Sequence, residues 1–326
     1  MDMKEKRLKK HTMLPLCCVG IAMIFACCQQ QDEACIRQEL PDAGVPVEVS
    51  ASVFADVLTR AQTPVELTEG TMGIFRLAVN DYTSMENIRY SRVKGDNWKP
   101  ATSTIIYVGA NAASLCAYSP YGATTFSNTT ATLTAQPYNT TKDLSYAVTG
   151  GNDIWKKTPQ ASFEMKRAYA RLKLAVTRDA TYPNTCKVTK VVLTPQSGTI
   201  LTTNTLDIST GTTGSGTTAA SYETAITTAI STAGVASGAT DDSSIDLLMI
   251  PQTLTSAGGL KVTLTVDGIG YSAVVPADKL GEFTAGNQYT VSLTLKGKAI
   301  EIEGVNITKE WTTAAVGSGS KDAVFD

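Results

Sequence analysis

Alternation of apolar residues with polar or small ones is the feature that most limits how this chain can fold. It recurs in four stretches of the sequence: Val45–Phe54, Ala168–Val176, Leu260–Val266 and Tyr289–Leu295. A two-residue repeat places every second side chain on one face of a β-strand, whereas an amphipathic helix repeats every 3.6 residues. Abundant small and β-branched residues, with frequent Gly, Pro and Asn breaks, favour the same structure. The sequence therefore predicts an all-β protein.

Shorter strand-like segments divide into two groups, one within residues 45–157 and the other within residues 158–326. Their spacing is typical of β-sandwiches, so we expect two sandwich domains after the N-terminal region. The predicted strands of both groups are Thr71–Leu77, Ile105–Val108, Leu115–Tyr121, Asp143–Ala147, at least the second half of Ser162–Thr177, Lys187–Leu193, Asp246–Ile250 and the segments around Ile300 and Ile302.

Ser209–Ser244 interrupts the second group with a run rich in Thr, Ser, Gly and Ala. Tyr222, Ile226 and Ile230 follow one another at intervals of four residues, a spacing that permits a short helix. A long loop without regular structure is the alternative. The sequence leaves both interpretations open.

Composition excludes several functional classes. The 326 residues carry a net charge of −2, which gives no electrostatic reason to expect nucleic-acid binding. The one histidine, His11, lies in the N-terminal leader, so the body has no imidazole for Ser-His-Asp or Cys-His catalysis or for a common zinc site. Cys116 and Cys186 are expected to be buried free thiols and not a disulfide. We expect a protein that is not an enzyme and has neither cofactor nor metal.

Two rival functions rest on acidic and aromatic residues. Carboxylates are the residue type needed for glycoside hydrolysis, but no acid pair stands out, and Asp241, Asp242 and Glu282 are interpreted as solvated loop acids. Asp241, Asp242 and Asp246 could offer oxygen ligands to calcium, but they form no recognisable motif. The tryptophans are the residue type that stacks on sugars in glycan-binding proteins. Packing is the simpler interpretation of single tryptophans at strand ends. The tryptophans are Trp98, Trp155 and Trp311.

The N-terminus has the pattern of an export signal. Basic residues precede the apolar run Met13–Ala26, which is short for a transmembrane helix and suited to a signal peptide over residues 1–26. The run ends in Ile24–Cys27, which resembles a lipobox and implies lipidation of Cys27. Residues 27–60 would then form a lipidated tether together with the first strand.

The first predicted strand lies between this anchor and a basic peptide bond, Arg60–Ala61. Its inward-facing residues are Val45, Val47, Val49, Ala51 and Val53. At about 1.5–3 kcal/mol per buried apolar side chain, four or five of them contribute roughly 6–15 kcal/mol. That matches the stability of a typical domain, about 5–15 kcal/mol, so a domain that loses this strand must refill the groove or unfold. The pattern indicates a removable strand.

Several packing motifs, taken in order, resemble the fimbrillins, the type V pilins of Bacteroidales. They are Gly73–Phe75, Ala117–Tyr121, Asp143–Ala147, Phe163 with Ala168–Leu172, Leu247–Gln252, Phe283–Tyr289 and Ile300–Trp311. One departure is Arg167–Ala170, which stands where that family often has a His-Ala pair, so the buried partner of this strand is expected to differ.

The resemblance implies two tandem transthyretin-like Greek-key sandwiches and a lipoprotein precursor at the outer membrane and cell surface. It further implies that an arginine-specific surface protease cuts at Arg60 and removes Val45–Phe54, and that another fimbrial subunit donates a strand in its place. Arg37 is a second candidate cleavage site, which would release the lipid and leave the strand.

The implied donor strand lies within Thr312–Asp326. Its apolar residues are Ala314, Val316, Ala323, Val324 and Phe325, but Gly317–Ser320 interrupts the alternation. This leaves three interpretations open: a polymerising subunit that supports adhesion, a tip or anchor subunit that does not polymerise, and a glycan-binding surface lipoprotein.

Overall fold

The structure is a computed structural model, and it describes residues 44–54, 64–148, 154–184, 186–230, 244–254, 258–297 and 299–309. All regular structure within these ranges is β-strand. The all-β prediction is confirmed. In the part of the chain described, no helix has the length and apolar character needed to cross a membrane.

The strands are numbered in chain order. Those up to residue 167 are β1 Val45–Pro46, β2 Glu48–Phe54, β3 Pro64–Glu66, β4 Gly70–Arg76, β5 Met85–Arg92, β6 Lys99–Pro100, β7 Tyr107–Val108, β8 Leu115–Ser119, β9 Phe126–Ser127, β10 Thr130–Thr134, β11 Gln136–Pro137, β12 Ser145–Val148 and β13 Gln160–Arg167. The later ones are β14 Ala170–Arg178, β15 Lys187–Pro195, β16 Ile200–Asp207, β17 Thr212–Thr213, β18 Thr217–Ala219, β19 Tyr222–Ala229, β20 Ser244–Met249, β21 Gln252–Thr253, β22 Leu260–Val266, β23 Ile269–Val275, β24 Glu282–Phe283, β25 Asn287–Lys296 and β26 Ala299–Lys309.

Three sheets organise most of these strands. An eight-stranded sheet has the order β3-β2-β13-β12-β8-β4-β5-β6 and contains only strands that precede residue 168. A five-stranded sheet, β11-β20-β14-β25-β26, and a four-stranded sheet, β19-β15-β22-β23, contain most of the later strands. In a further sheet, β10 pairs with β16, and β9, β17 and β18 flank them. Strands β1 and β7 pair separately, as do β21 and β24.

Alternating burial explains why these segments are strands. In β13 the inward residues Ala161, Phe163, Met165 and Arg167 are buried, and the residues between them are exposed. Strand β22 repeats the pattern, with Leu260, Val262, Leu264 and Val266 buried. One face of each strand therefore packs on the core and the other meets solvent or another layer.

Two apolar clusters form the core. The smaller one lies under the eight-stranded sheet and contains, among others, Met72, Tyr90, Phe163 and Met165. The larger one is built mainly from residues after 167, but it extends into the earlier part of the chain through residues such as Tyr118.

Strand pairing crosses the predicted domain boundary at residue 158. Strand β13 lies after the boundary and pairs with β2 and β12, which lie before it. Strand β10 lies before the boundary and pairs with β16. The division into two tandem transthyretin-like domains stays a prediction.

The helix considered for Ser209–Ser244 is wrong in the part of that segment that is described. Residues Tyr222–Ala229 form strand β19, which pairs with β15. Tyr222, Thr224 and Ile226 are buried or half-buried, while Glu223 and Ala225 between them are exposed. A four-residue spacing equals two strand repeats as well as about one helical turn, and the β-branched Thr and Ile residues favour the strand.

Cys116 and Cys186 are free and buried, as expected from the sequence. Burial raises the pKa of the Cys116 thiol to about 12 and that of Cys186 to about 11. Because the thiolate is the reactive form, both residues are inert at neutral pH.

Alkylation tests this placement of the two thiols. We expect iodoacetamide at pH 8 to leave Cys116 and Cys186 unmodified in the folded protein and to modify both in urea, because unfolding removes the burial that keeps them protonated. Peptide mass spectrometry resolves the two sites from the N-terminal cysteines. Modification of either cysteine in the folded protein at the rate measured in urea would contradict the buried placement.

Gly73 lies where β4 passes the ring of Tyr118. The Tyr118 hydroxyl donates a hydrogen bond to Asn87 Oδ1 at 2.8 Å, and a methyl group on Gly73 would overlap both the ring and that amide oxygen. We expect Gly73→Ala to lower the free energy of unfolding by about 1–3 kcal/mol, measured by urea denaturation. Gly270→Ala on β23 is the matched control, since nothing lies within 4 Å of its added carbon. Equal effects of the two substitutions would show that β4 is not packed in this way.

Candidate functional site

The first strands of the described chain are built into the fold on three sides. Strand β1 pairs antiparallel with β7, and the Val47 amide then donates to the Ile106 carbonyl at 2.9 Å. Strand β2 runs parallel to β13 from Glu48 to Val53 and antiparallel to the short strand β3. The segment predicted to be removable is therefore an internal strand of the eight-stranded sheet. We call the space that it fills the acceptor groove, bounded by β7, β13 and β3.

The predicted inward-facing residues of this segment all face the smaller apolar cluster. Val47 is 7% exposed and Ala51 is 2% exposed. Val45, Val49 and Val53 are partly buried and pack against the same cluster. Glu48 and Ser50, between them, are exposed. The strand and its inward face are as the alternation predicts.

Three inward pairs form the contact between β2 and β13. Val49 stands beside Ala161 in the parallel register, Ala51 beside Phe163, and Val53 beside Met165. Phe163 is fully buried, and the residue beside it on β2 is the smallest of the five inward residues. In the middle pair the smallest inward residue of β2 therefore lies beside the largest inward residue of this part of β13, which is how adjacent strands fill a core without voids.

Strand β3 is held by the body of the sheet as well as by β2. The Arg92 guanidinium on β5 contacts Glu66 Oε1 at 2.5 Å and donates to the Leu67 carbonyl at 2.9 Å. The Leu67 amide in turn donates to the Ala51 carbonyl at 2.8 Å. The two Arg92 contacts therefore hold this side of the acceptor groove without involving β2.

A buried group of charges fixes the far end of β13. Arg167, the last residue of β13, pairs with Asp143, and their side chains are 7% and 3% exposed. Arg171 on β14 pairs with Asp246 on β20 at 2.5 Å. A buried ion pair is costly to form, and removing one partner is costlier still, because the other charge is left without a partner.

Tyr138 completes this buried group. The Arg171 guanidinium lies 4.3 Å from the centre of the Tyr138 ring. Burial, reinforced by the charge of Asp143, raises the pKa of the Tyr138 hydroxyl to about 12, so the phenol stays neutral. Sequence reasoning identified the unusual Arg167 but not its partner. An arginine on the inward side of an alternating strand was the available signal that a buried acid must exist elsewhere.

The processing and donor residues predicted from the sequence lie outside the described residues. These are Cys27, Arg37, Arg60, Ala61, Ala314, Val316, Ala323, Val324 and Phe325. In the chain, Arg60 falls in the connection between β2, which ends at Phe54, and β3, which begins at Pro64. A cut at this position would break the covalent connection between β2 and β3, two strands that pair with each other in the sheet.

The profile of the fimbrillin-like family matches residues 59–311. The chain belongs to the fimbrillin-like family. Its fold is similar to that of a proposed cell adhesion protein from Bacteroides uniformis ATCC 8492, with 20% identity, a TM-score of 0.57, and 82% of this chain and 98% of that chain covered. It is also similar to one from Bacteroides ovatus ATCC 8483, with 16% identity, a TM-score of 0.60, and 83% and 99% covered. No curated protein sequence matches.

In this fimbrillin-like protein Glu282 is exposed and accepts a hydrogen bond from the Thr284 hydroxyl, and it forms no ion pair among the described residues. Trp155 is half-buried, with the Lys157 ammonium 5.1 Å from its ring centre. Trp98 is 6% exposed and belongs to the smaller apolar cluster, so it offers no stacking face to a sugar. Asp246 is engaged by Arg171. Among the described residues no group of three or more His, Cys, Asp or Glu side chains could hold a metal ion. Asp241, Asp242 and Trp311 lie outside those residues.

The Asp143–Arg167 pair gives a stability prediction. We expect Asp143→Leu to lower the free energy of unfolding by about 3–5 kcal/mol, because it removes the carboxylate that pairs with the buried Arg167 charge. The double variant Asp143→Leu with Arg167→Met should recover most of the loss, since an apolar pair replaces both charges. Urea denaturation measures both. Lys99→Met, which removes the exposed pair with Asp96, is the control and should change stability by less than about 1 kcal/mol. A double variant no more stable than Asp143→Leu would contradict the argument.

Proposed function

We propose that this fimbrillin-like protein is a structural, non-enzymatic subunit of surface fimbriae. It is exported as a lipoprotein precursor, trimmed at Arg60, and assembled by donor-strand exchange. Family membership supports a fimbrial subunit at the cell surface that interacts with other fimbrial subunits. The observation that carries the finer proposal is the position of β2: an internal strand whose connection to the next strand contains a basic peptide bond.

The geometry supports a removable strand. After a cut at Arg60, β1 and β2 are joined to the body only by hydrogen bonds and side-chain packing. Their loss would leave the edge of β13 unpaired and expose the floor of the acceptor groove beneath Val47 and Ala51. Exposed strand edges and apolar surface favour pairing with another extended segment. A subunit with one such groove and one donor segment makes head-to-tail contacts, and these extend into a filament.

Membrane anchoring and assembly are coupled in this proposal. Cys27 carries the lipid that holds the precursor in the outer membrane, and it lies on the N-terminal side of Arg60. One cut by an arginine-specific surface protease would therefore release the lipid and open the acceptor groove together. A cut at Arg37 would release the lipid alone.

Residues 312–326 are the candidate donor, through Ala314, Val316, Ala323, Val324 and Phe325. The interruption at Gly317–Ser320 favours a second candidate function, a tip or anchor subunit that does not extend the filament. The buried position of Trp98 gives no support to a glycan-binding role for that residue.

Replacement of Arg60 separates these functions. We expect Arg60→Ala cells to keep the full N-terminal segment and to lose the SDS-resistant ladder of assembled subunits, because the acceptor groove stays filled by β2. N-terminal sequencing of the surface form should give Ala61 in the wild type.

Arg37→Ala is the matched control and should leave both the Ala61 terminus and the ladder unchanged. Wild-type surface protein that retains residues 45–54 and forms no ladder would overturn the polymerising role and leave the anchor role.

A further inference from the structure

We infer that the acceptor groove selects its occupant by side-chain size and direction. It takes an extended strand of a different subunit that runs parallel to β13 and places a small side chain beside Phe163. This inference rests on the proposed function and goes beyond it, because it names the chemistry of the partner strand.

The direction follows from the three neighbours of β2. The native occupant is parallel to β13, antiparallel to β3, and antiparallel to β7 through its first residues. Parallel and antiparallel ladders differ in the position of their hydrogen bonds, so a reversed strand could not reproduce the native bonds to these neighbours. These include the bonds from the Glu48 amide to the Pro159 carbonyl and from the Leu67 amide to the Ala51 carbonyl.

The size requirement follows from the register. The inward positions of the occupant read, in order, Val, Val, Val, Ala, Val, and the small residue is the fourth of the five. That position lies beside Phe163, which is fully buried, and the residue there is itself 2% exposed. Added methylenes at a filled core position force side chains off their rotamers. A reversed strand would place a valine beside Phe163 and the alanine at the second position. The size requirement therefore also disfavours the reversed direction.

Residues 312–326 of this chain do not fit this order. Each alternating series of five within them contains at most two residues larger than alanine and apolar, and each also meets Gly, Ser or a charged residue of Gly317–Asp322. None provides three consecutive valine-sized side chains followed by a small one. The occupant that satisfies the groove is therefore a strand of another kind of subunit, with β-branched residues at the first three inward positions and alanine or glycine at the fourth.

Peptide exchange into the nicked protein tests the inference. The full chain is cut with an arginine-specific protease, cleavage at Arg60 is verified by intact mass, and biotinylated peptides of residues 45–54 are added. We expect the native peptide and its Ser50→Leu form to enter with similar affinity, because Ser50 faces solvent. The Ala51→Leu form and a peptide of reversed order should bind at least tenfold more weakly. A peptide of residues 312–326 should not enter.

Two further experiments, one with a Phe163 variant and one with the intact chain, also test the inference. In the nicked Phe163→Val protein, the difference in affinity between the native and Ala51→Leu peptides should become smaller or change sign, because the smaller valine leaves space beside position 51. In the intact chain, Ala51→Leu should lower Tm by several degrees and Ser50→Leu should not. The Tm comparison needs no cleavage. A chain that resists cutting at Arg60 would therefore count against the proposed function, while the Tm comparison would still test the size requirement.

Several results would overturn the inference. Equal exchange of the Ala51→Leu and Ser50→Leu peptides, or equal Tm values of the two intact variants, would show that size beside Phe163 is not selected. Entry of the reversed peptide with native affinity would remove the direction requirement. Entry of the 312–326 peptide as tightly as the native one would identify a second copy of this chain as the occupant.

Discussion

The parallel contact between β2 and β13 is the interaction on which the rest of this structure depends. It joins residues 48–53 to residues 160–165, which are more than a hundred positions apart in the chain. Most neighbouring pairs in the eight-stranded sheet are antiparallel, and this parallel pair lies in its interior. Strand β2, the second strand of the described chain, thus occupies an internal position in this sheet although it comes early in the sequence. Strand β2 therefore contributes to the core from inside the sheet, and the segment of sequence that follows it contains the basic peptide bond Arg60–Ala61.

Stability on the two sides of the acceptor groove comes from different interactions. Strand β13 is fixed on its inner side by β12 and at its end by the buried Asp143–Arg167 pair. Strand β3 is fixed by Arg92. Neither set involves β2. Loss of the occupant would therefore remove packing from the smaller apolar cluster while leaving both sides of the groove attached to the body. This arrangement suits a site that must hold its shape between the departure of one strand and the arrival of another.

Much of the fold follows from the sequence, because a two-residue repeat specifies a strand whatever its partners are. Strands β2, β14, β22 and β25 were predicted on that basis. Pairing partners were not, since the alternation of β2 says which face is buried but not that β13 lies beside it. Tyr222 and Ile226 illustrate a second limit, because their four-residue spacing is common to helix and strand. The β-branched residues between and beside them favour the strand, and pairing with β15 stabilises it. Arg167 illustrates a third, because its partner Asp143 lies on another strand connection and no local pattern links the two residues.

The size pattern of the acceptor groove was present in the sequence from the start, yet it had no meaning until the register was known. Ala51 interrupts a series of valines, and in sequence terms it is a small deviation in an apolar strand. In the structure its partner on β13 is Phe163, a fully buried aromatic residue. The acceptor groove therefore has a general requirement and a specific one. The general requirement is an apolar extended strand, and the specific one is a small side chain at the position beside Phe163. Because many strands meet the general requirement and few meet the specific one, the proposed strand exchange would discriminate between donors at the position of Ala51.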